Sequence, residues 1–96
     1  VALANGAAGI EAFLTPEEAR RRAQEIGALT AGERNAHRIP GLDLDNSPTE
    51  FTRDRVEGRI ICATTTNGTR ALLAAQGAPR VYLAACVNLS ATAAAI

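Results

Sequence analysis

Lysine is absent: all ten basic side chains are arginine, balanced by ten acidic ones. Without a lysine amine the chain has no Schiff-base chemistry, no pyridoxal phosphate attachment and no Walker A lysine. A single histidine rules out the two-histidine zinc motifs. With a formal charge of zero there is no broad attraction for phosphate backbones, so no nucleic-acid partner is expected. No apolar run approaches the roughly 20 residues of a membrane span, and no basic segment leads into a signal-like core. No membrane partner is expected, and a cytoplasmic setting is the default. Methionine and tryptophan are missing and aromatics make up 3%. The 47% apolar fraction rests on alanine, about a fifth of the chain, so hydrophobic layers should be thin.

A length of 96 residues bounds the chain to one small domain or part of one. It starts and stops inside Ala-rich stretches, and the expectation is the central part, 1–96, of a single incomplete domain. Cys62 and Cys86 both read as small buried hydrophobes at strand positions rather than as a disulfide.

Val1 to Ala8 reads as a helix tail ending at Asn5-Gly6, and Gly9 to Leu14 as a buried strand. Thr15-Pro16-Glu17-Glu18 carries a capping box with proline in the first turn and opens a helix to about Ile26. On its solvent side Glu17 with Arg21, and Glu18 with Arg22, are spaced as i,i+4 pairs. Ala28 to Ala31 predicts a brief strand, followed by a long polar surface loop from Gly32 to Ser47. Ser47-Pro48-Thr49-Glu50 repeats the capping pattern before a short helix. Strands are expected at Arg59 to Ala63 and Arg80 to Ala85, and helices at Gly68 to Gln76 and from Leu89 to Ile96. Short apolar strands alternating with helices predict an α/β fold, a three-layer α/β/α arrangement with a mainly parallel sheet. Thr15, Glu33 with Arg34, Thr64 to Thr69 and Asn88 each follow a strand, at the edge where open α/β sheets bind ligands.

Thr64-Thr65-Thr66-Asn67-Gly68-Thr69-Arg70 sits between a strand and a helix, where free N–H groups and hydroxyls can meet an anion. Arg70 in the first turn opposes the helix dipole, a cost offset by a nearby negative charge. The alternative is that Thr66 or Asn67 caps the helix and Arg70 pairs with a carboxylate. In the long loop, Asp43, Asp45 and Glu33 offer the hard oxygens that Mg²⁺ accepts; solvated acids on an extended edge are the competing reading. Arg34 and Arg38 present planar forks for oxyanions, with Arg38 read as a surface arginine. His37 is read as solvated, although its pKa suits a general acid.

Glu33-Arg34-Asn35, Ile39-Pro40-Gly41-Leu42-Asp43-Leu44, Asn46-Ser47-Pro48, Gly58-Arg59 and Thr64-Thr65-Thr66-Asn67-Gly68-Thr69-Arg70-Ala71 resemble, in order, the central motifs of the 2-phosphosulfolactate phosphatase family of coenzyme M biosynthesis. The resemblance implies a Mg²⁺-dependent acid phosphatase that converts 2-phosphosulfolactate, or a similar small anionic phosphomonoester, to its alcohol and phosphate. Three positions depart from the family pattern: Ala36 stands where glycine is usual, Leu42 replaces an aromatic residue, and Asp45 stands where glycine is usual. Family members run to well over twice this length.

The expected site has Asp43 and Glu33 as Mg²⁺ ligands, with Asp43, Arg70 and Arg34 as catalytic residues. Thr65, Thr66, Asn67, Gly68 and Thr69 cradle phosphate, with Asn46, Ser47 and Asn88 as further phosphate-binding residues. A water is the simplest nucleophile. The alternative function is a non-catalytic module that binds a phosphorylated or sulfonated metabolite. The chain alone is expected to be inactive, and its uncovered strand edges make a homo-oligomer an expectation.

Overall fold

The computed structural model describes residues 1–35, 37–66 and 68–96. Strands β1 (Gly9–Ala12), β2 (Leu29–Arg34), β3 (His37–Arg38) and β4 (Ile60–Thr64) form one sheet in the order β1-β4-β2-β3. β4 is parallel to both β1 and β2, while β3 turns back antiparallel to β2. The helices are α1 (Pro16–Ile26), α2 (Arg53–Val56), α3 (Gly68–Ala74) and α4 (Leu89–Ala95), with 3-10 turns at Pro48–Glu50 and Cys86–Asn88. This is the expected α/β architecture with a mainly parallel sheet.

Alternation along the strands sorts the core into two layers. Cys62 lies on one face with Ala19 and Ala23 of α1, packed by Phe13 and Ala28. Ala31 and Ile61 lie on the other face with Ala2, Leu44 and Val56, packed by Leu29, Phe51 and Ala63. α1 begins as its sequence dictates. The Thr15 hydroxyl accepts from the Glu18 N–H at 3.2 Å and donates to Glu18 Oε1 at 3.2 Å, and Pro16 occupies the first turn. Gly27, at φ 69°, closes the helix and returns its N–H to the Ala23 carbonyl. Thr15→Ala should cost about 1 kcal/mol by removing that cap; a denaturation midpoint unchanged from wild type would show that packing alone sets the start of α1.

Several local expectations are corrected. Val1 to Gly6 forms turns, with the Asn5 N–H donating to the Val1 carbonyl, and the Asn5 side chain donates to the Phe51 carbonyl at 2.7 Å. Arg22 pairs with Glu11 of β1 at 3.1 Å and with Glu25 at 3.6 Å, so the expected i,i+4 partner yields to a carboxylate on the neighbouring strand. β2 runs on to Arg34, and the stretch expected as one long loop contains the β2–β3 hairpin. It is turned by Asn35, which adopts the left-handed conformation at φ 53°. Asparagine tolerates that region better than most residues.

The expected strand at Arg80 to Ala85 does not form. The Asn88 side chain donates to the Leu83 carbonyl at 2.8 Å and accepts from the Ala85 N–H at 2.7 Å, taking backbone groups a ladder would use. The Tyr82 hydroxyl donates to the Ala95 carbonyl, and Val81, Tyr82 and Leu83 stay exposed. Both cysteines are free thiols: Cys62 is buried as expected, whereas Cys86 is exposed.

Candidate active site

A cleft of about 560 Å³ opens where the ends of β2 and β4 meet the β2–β3 hairpin. The hairpin contributes Glu33, Asn35, His37 and Arg38. Asp45, Asn46 and Ser47 line it from the following loop, and Thr66 from just beyond β4. The parallel strands run toward this end, so the cleft occupies the edge at which open α/β sheets place ligands.

Glu33 is its organising carboxylate. Oε1 accepts from the Thr66 N–H at 2.9 Å, and the Thr66 hydroxyl donates to Oε2 at 3.3 Å. Thr66 Oγ1 in turn accepts from the Asn35 N–H at 2.9 Å, joining the hairpin turn to the loop after β4. These bonds fix the carboxylate in place. Asp45 Oδ1 accepts from the Ser47 N–H at 2.7 Å, a tight turn that holds Asn46 and Ser47 on the cleft wall.

The remaining expected site residues are placed as follows. Asp43 stands beside Thr30, at the opposite end of β2 from Glu33; its Oδ2 accepts from the Thr30 N–H at 2.9 Å and from the Thr30 hydroxyl at 3.0 Å. Three residue steps along the strand separate the two positions, about 10 Å of rise. Alternation sends Arg34 to the α1 side of the sheet. There it reaches over the ends of β1 and β4, donating to the Leu14 carbonyl at 3.4 Å and to Thr64 Oγ1 at 3.3 Å. Thr65 and Thr69 cap each other: the Thr69 N–H donates to Thr65 Oγ1 at 2.9 Å, and the Thr65 N–H to Thr69 Oγ1 at 3.1 Å. Gly68 and Arg70 are exposed in the first turn of α3. Asn67 lies outside the described residues. Asn88 caps its own turn and does not line the cleft.

Asp45, offered by the sequence as a metal-binding carboxylate, lines the cleft, as do His37, read as solvated, and Arg38, read as a surface arginine. The available signal was the Glu33-Arg34-Asn35 string itself, since an asparagine suited to a turn after a strand brings the next residues back alongside Glu33. Thr30 is buried and its N–H depends on Asp43. Asp43→Ala is therefore expected to destabilise the protein by about 1–2 kcal/mol. An unchanged denaturation midpoint would show that the Thr30 N–H does not depend on Asp43.

Among the described residues no group of three or more His, Cys, Asp or Glu side chains is gathered closely enough to hold a metal ion. Mg²⁺ needs fewer, binding through one or two carboxylates while waters and substrate phosphate complete its shell. Glu33 and Asp45, all-oxygen donors on one cleft, fit that demand. Burial, followed by the nearby charge of Glu11, pushes the Cys62 thiol up, so it stays protonated and is no candidate nucleophile.

The model of the 2-phosphosulpholactate phosphatase family matches residues 1–96. The chain belongs to that family. A relative from Symbiobacterium thermophilum named probable 2-phosphosulfolactate phosphatase is 52% identical over 90 residues, covering 91% of this chain and 39% of the relative. Family members of the same name from Clostridium beijerinckii and Thermotoga petrophila are each 42% identical over 90 residues, covering 91% and 94% of this chain respectively. The chain thus spans about 39% of the length of the relatives it matches. Among the described residues no helix is long and apolar enough to cross a membrane.

Proposed function

We propose that the full-length protein is a cytoplasmic Mg²⁺-dependent phosphatase that hydrolyses 2-phosphosulfolactate, or a similar small anionic phosphomonoester, to the alcohol and phosphate. The observation that carries this reading is the cleft at the strand ends. There a fixed carboxylate, Glu33, lines the same cleft as the Asp45 turn, in a chain matched along its whole length by the phosphatase family.

Glu33 and Asp45 would hold the ion, which supplies Lewis-acid polarisation of the phosphoryl oxygens. Every other task falls to the chain. The Asn46 amide and Ser47 hydroxyl stand beside Asp45 and provide neutral hydrogen-bonding partners for phosphate oxygens. Arg34, turned to the α1 side of the sheet, and Arg70, exposed in the first turn of α3, do not line the cleft, so neither is assigned a contact with the transferred oxygens. Water is the proposed nucleophile.

Phosphate release from 2-phosphosulfolactate by the full-length protein, with and without Mg²⁺, tests the reading. Release that depends on Mg²⁺ supports it, whereas binding of the substrate without release would make the protein a binding module. The isolated chain of 96 residues is proposed to turn over at least about a hundredfold more slowly than the full-length protein, the penalty expected when a catalytic constellation is incompletely positioned.

A further inference from the structure

Arg38 is the only permanently charged cation among the described residues lining a cleft that also holds the Glu33 and Asp45 carboxylates. An anionic substrate entering such a cleft meets repulsion from both carboxylates. 2-Phosphosulfolactate carries two further acid groups, a carboxylate and a sulfonate, and each needs a counter-charge.

The arginine is built for that task. β3 sets it directly opposite Glu33 in the ladder, on a hairpin rather than a free loop. Nη1 donates to Glu50 Oε1 at 3.0 Å and Nη2 to the Asp43 carbonyl at 3.3 Å, which fixes the plane of the guanidinium. Its five N–H donors are not exhausted by two bonds. Glu50 is itself braced, because Arg55 donates to its Oε2 at 2.9 Å and the Asp45 N–H reaches its Oε1 at 3.4 Å. The brace therefore ties the arginine to the loop that carries the second carboxylate. An exposed ion pair of this kind adds little to stability, so the arrangement is better explained by what it presents to the cleft.

We propose that Arg38 is the specificity-determining residue that binds one of the two non-phosphate acid groups of the substrate, with Glu50 as its positioning residue. This rests on the phosphatase reading, and the test separates the two. Calorimetry on the full-length protein would measure binding of sulfolactate and of inorganic phosphate to wild type, Arg38→Gln and Arg38→Lys. Arg38→Gln should weaken sulfolactate about tenfold or more, the scale of a charge-assisted fork, and leave phosphate within twofold. Arg38→Lys should recover only part of the loss, because it keeps the charge but not the fork. Lactate and 2-hydroxyethanesulfonate, which lack the sulfonate and the carboxylate respectively, identify the group: the compound insensitive to Arg38→Gln has lost it. Equal sulfolactate affinity in wild type and Arg38→Gln overturns the assignment. A parallel loss of phosphate binding overturns it as well, since it would make Arg38 a phosphate ligand or a structural residue. If wild type binds neither compound, the phosphatase reading itself falls.

Discussion

Glu33→Gln in the full-length protein is expected to lower Mg²⁺-dependent phosphate release about a hundredfold or more while leaving the fold in place. Glutamine keeps a carbonyl oxygen that can still accept from the Thr66 N–H, the shorter of the two bonds between Glu33 and Thr66, so that link between the hairpin and the loop after β4 survives. What disappears is the negative charge. On the proposed reading the cleft loses one of the two carboxylates that would hold a divalent ion, and even the loss of a group that only supports a metal ligand typically costs about 10–100-fold in metal affinity or activity. Turnover assayed across a Mg²⁺ titration, alongside a thermal melt, gives the answer. Near wild-type turnover at unchanged Mg²⁺ demand would remove Glu33 from the chemistry.

Gly32→Ala should be the most destabilising single methyl in the chain. β2 lies so close to β4 at this position that a Cβ on Gly32 would collide with the Thr64 carbonyl oxygen and stand 2.9 Å from Thr64 Cγ2. Thr64 is fully buried and its backbone pairs with Gly32 in the parallel ladder, so neither atom can step aside cheaply. The expected loss is about 3 kcal/mol, the upper part of the range for overpacking a core, read as a lowered urea midpoint. Gly9→Ala in β1 is the control: its Cβ would meet nothing within 4 Å, and stability should hold or rise slightly. Similar midpoints for the two variants would mean that β2 and β4 can separate without penalty. Because Glu33 follows Gly32 directly, a shift there also moves the site.

What the sequence made legible was whatever its neighbours alone decide. Thr15, Pro16 and Glu18 announce the start of α1 because a cap needs only four consecutive residues. The threonine-rich segment after β4 was placed correctly between strand and helix, since Ile60, Ile61 and Cys62 are apolar enough to demand burial. The site itself was only half visible. Asp43 and Asp45 look equivalent in sequence, and their difference comes from long-range register. Leu44 bridges Ala31 in the parallel sense, with its N–H on the Thr30 carbonyl and its carbonyl on the Gly32 N–H. That pairing delivers Asp43 to Thr30 and Asp45 to the Glu33 end. Glu33 and Arg34 were grouped as one motif, yet strand alternation parts them to opposite faces once β2 is known to extend that far. The apolar run at Arg80 to Ala85 reads as a strand by composition, whereas the Asn88 side chain decides its fate from three and five residues away.

The strand order also sets a sequence of events during folding. The β2–β3 hairpin joins residues only a few positions apart, and such turns close in microseconds. The pairing of Gly9 with Ile60, by contrast, must draw together distant parts of the chain as a parallel ladder, which is entropically slow. Glu33 belongs to the early unit, and its partner Thr66, 33 residues further on, to the late one. The bond between them is therefore expected to close late in folding. Hydrogen-exchange protection at the Thr66 amide serves as a clock for completion of the active centre, and the cleft stays without its anchored carboxylate until the sheet is assembled.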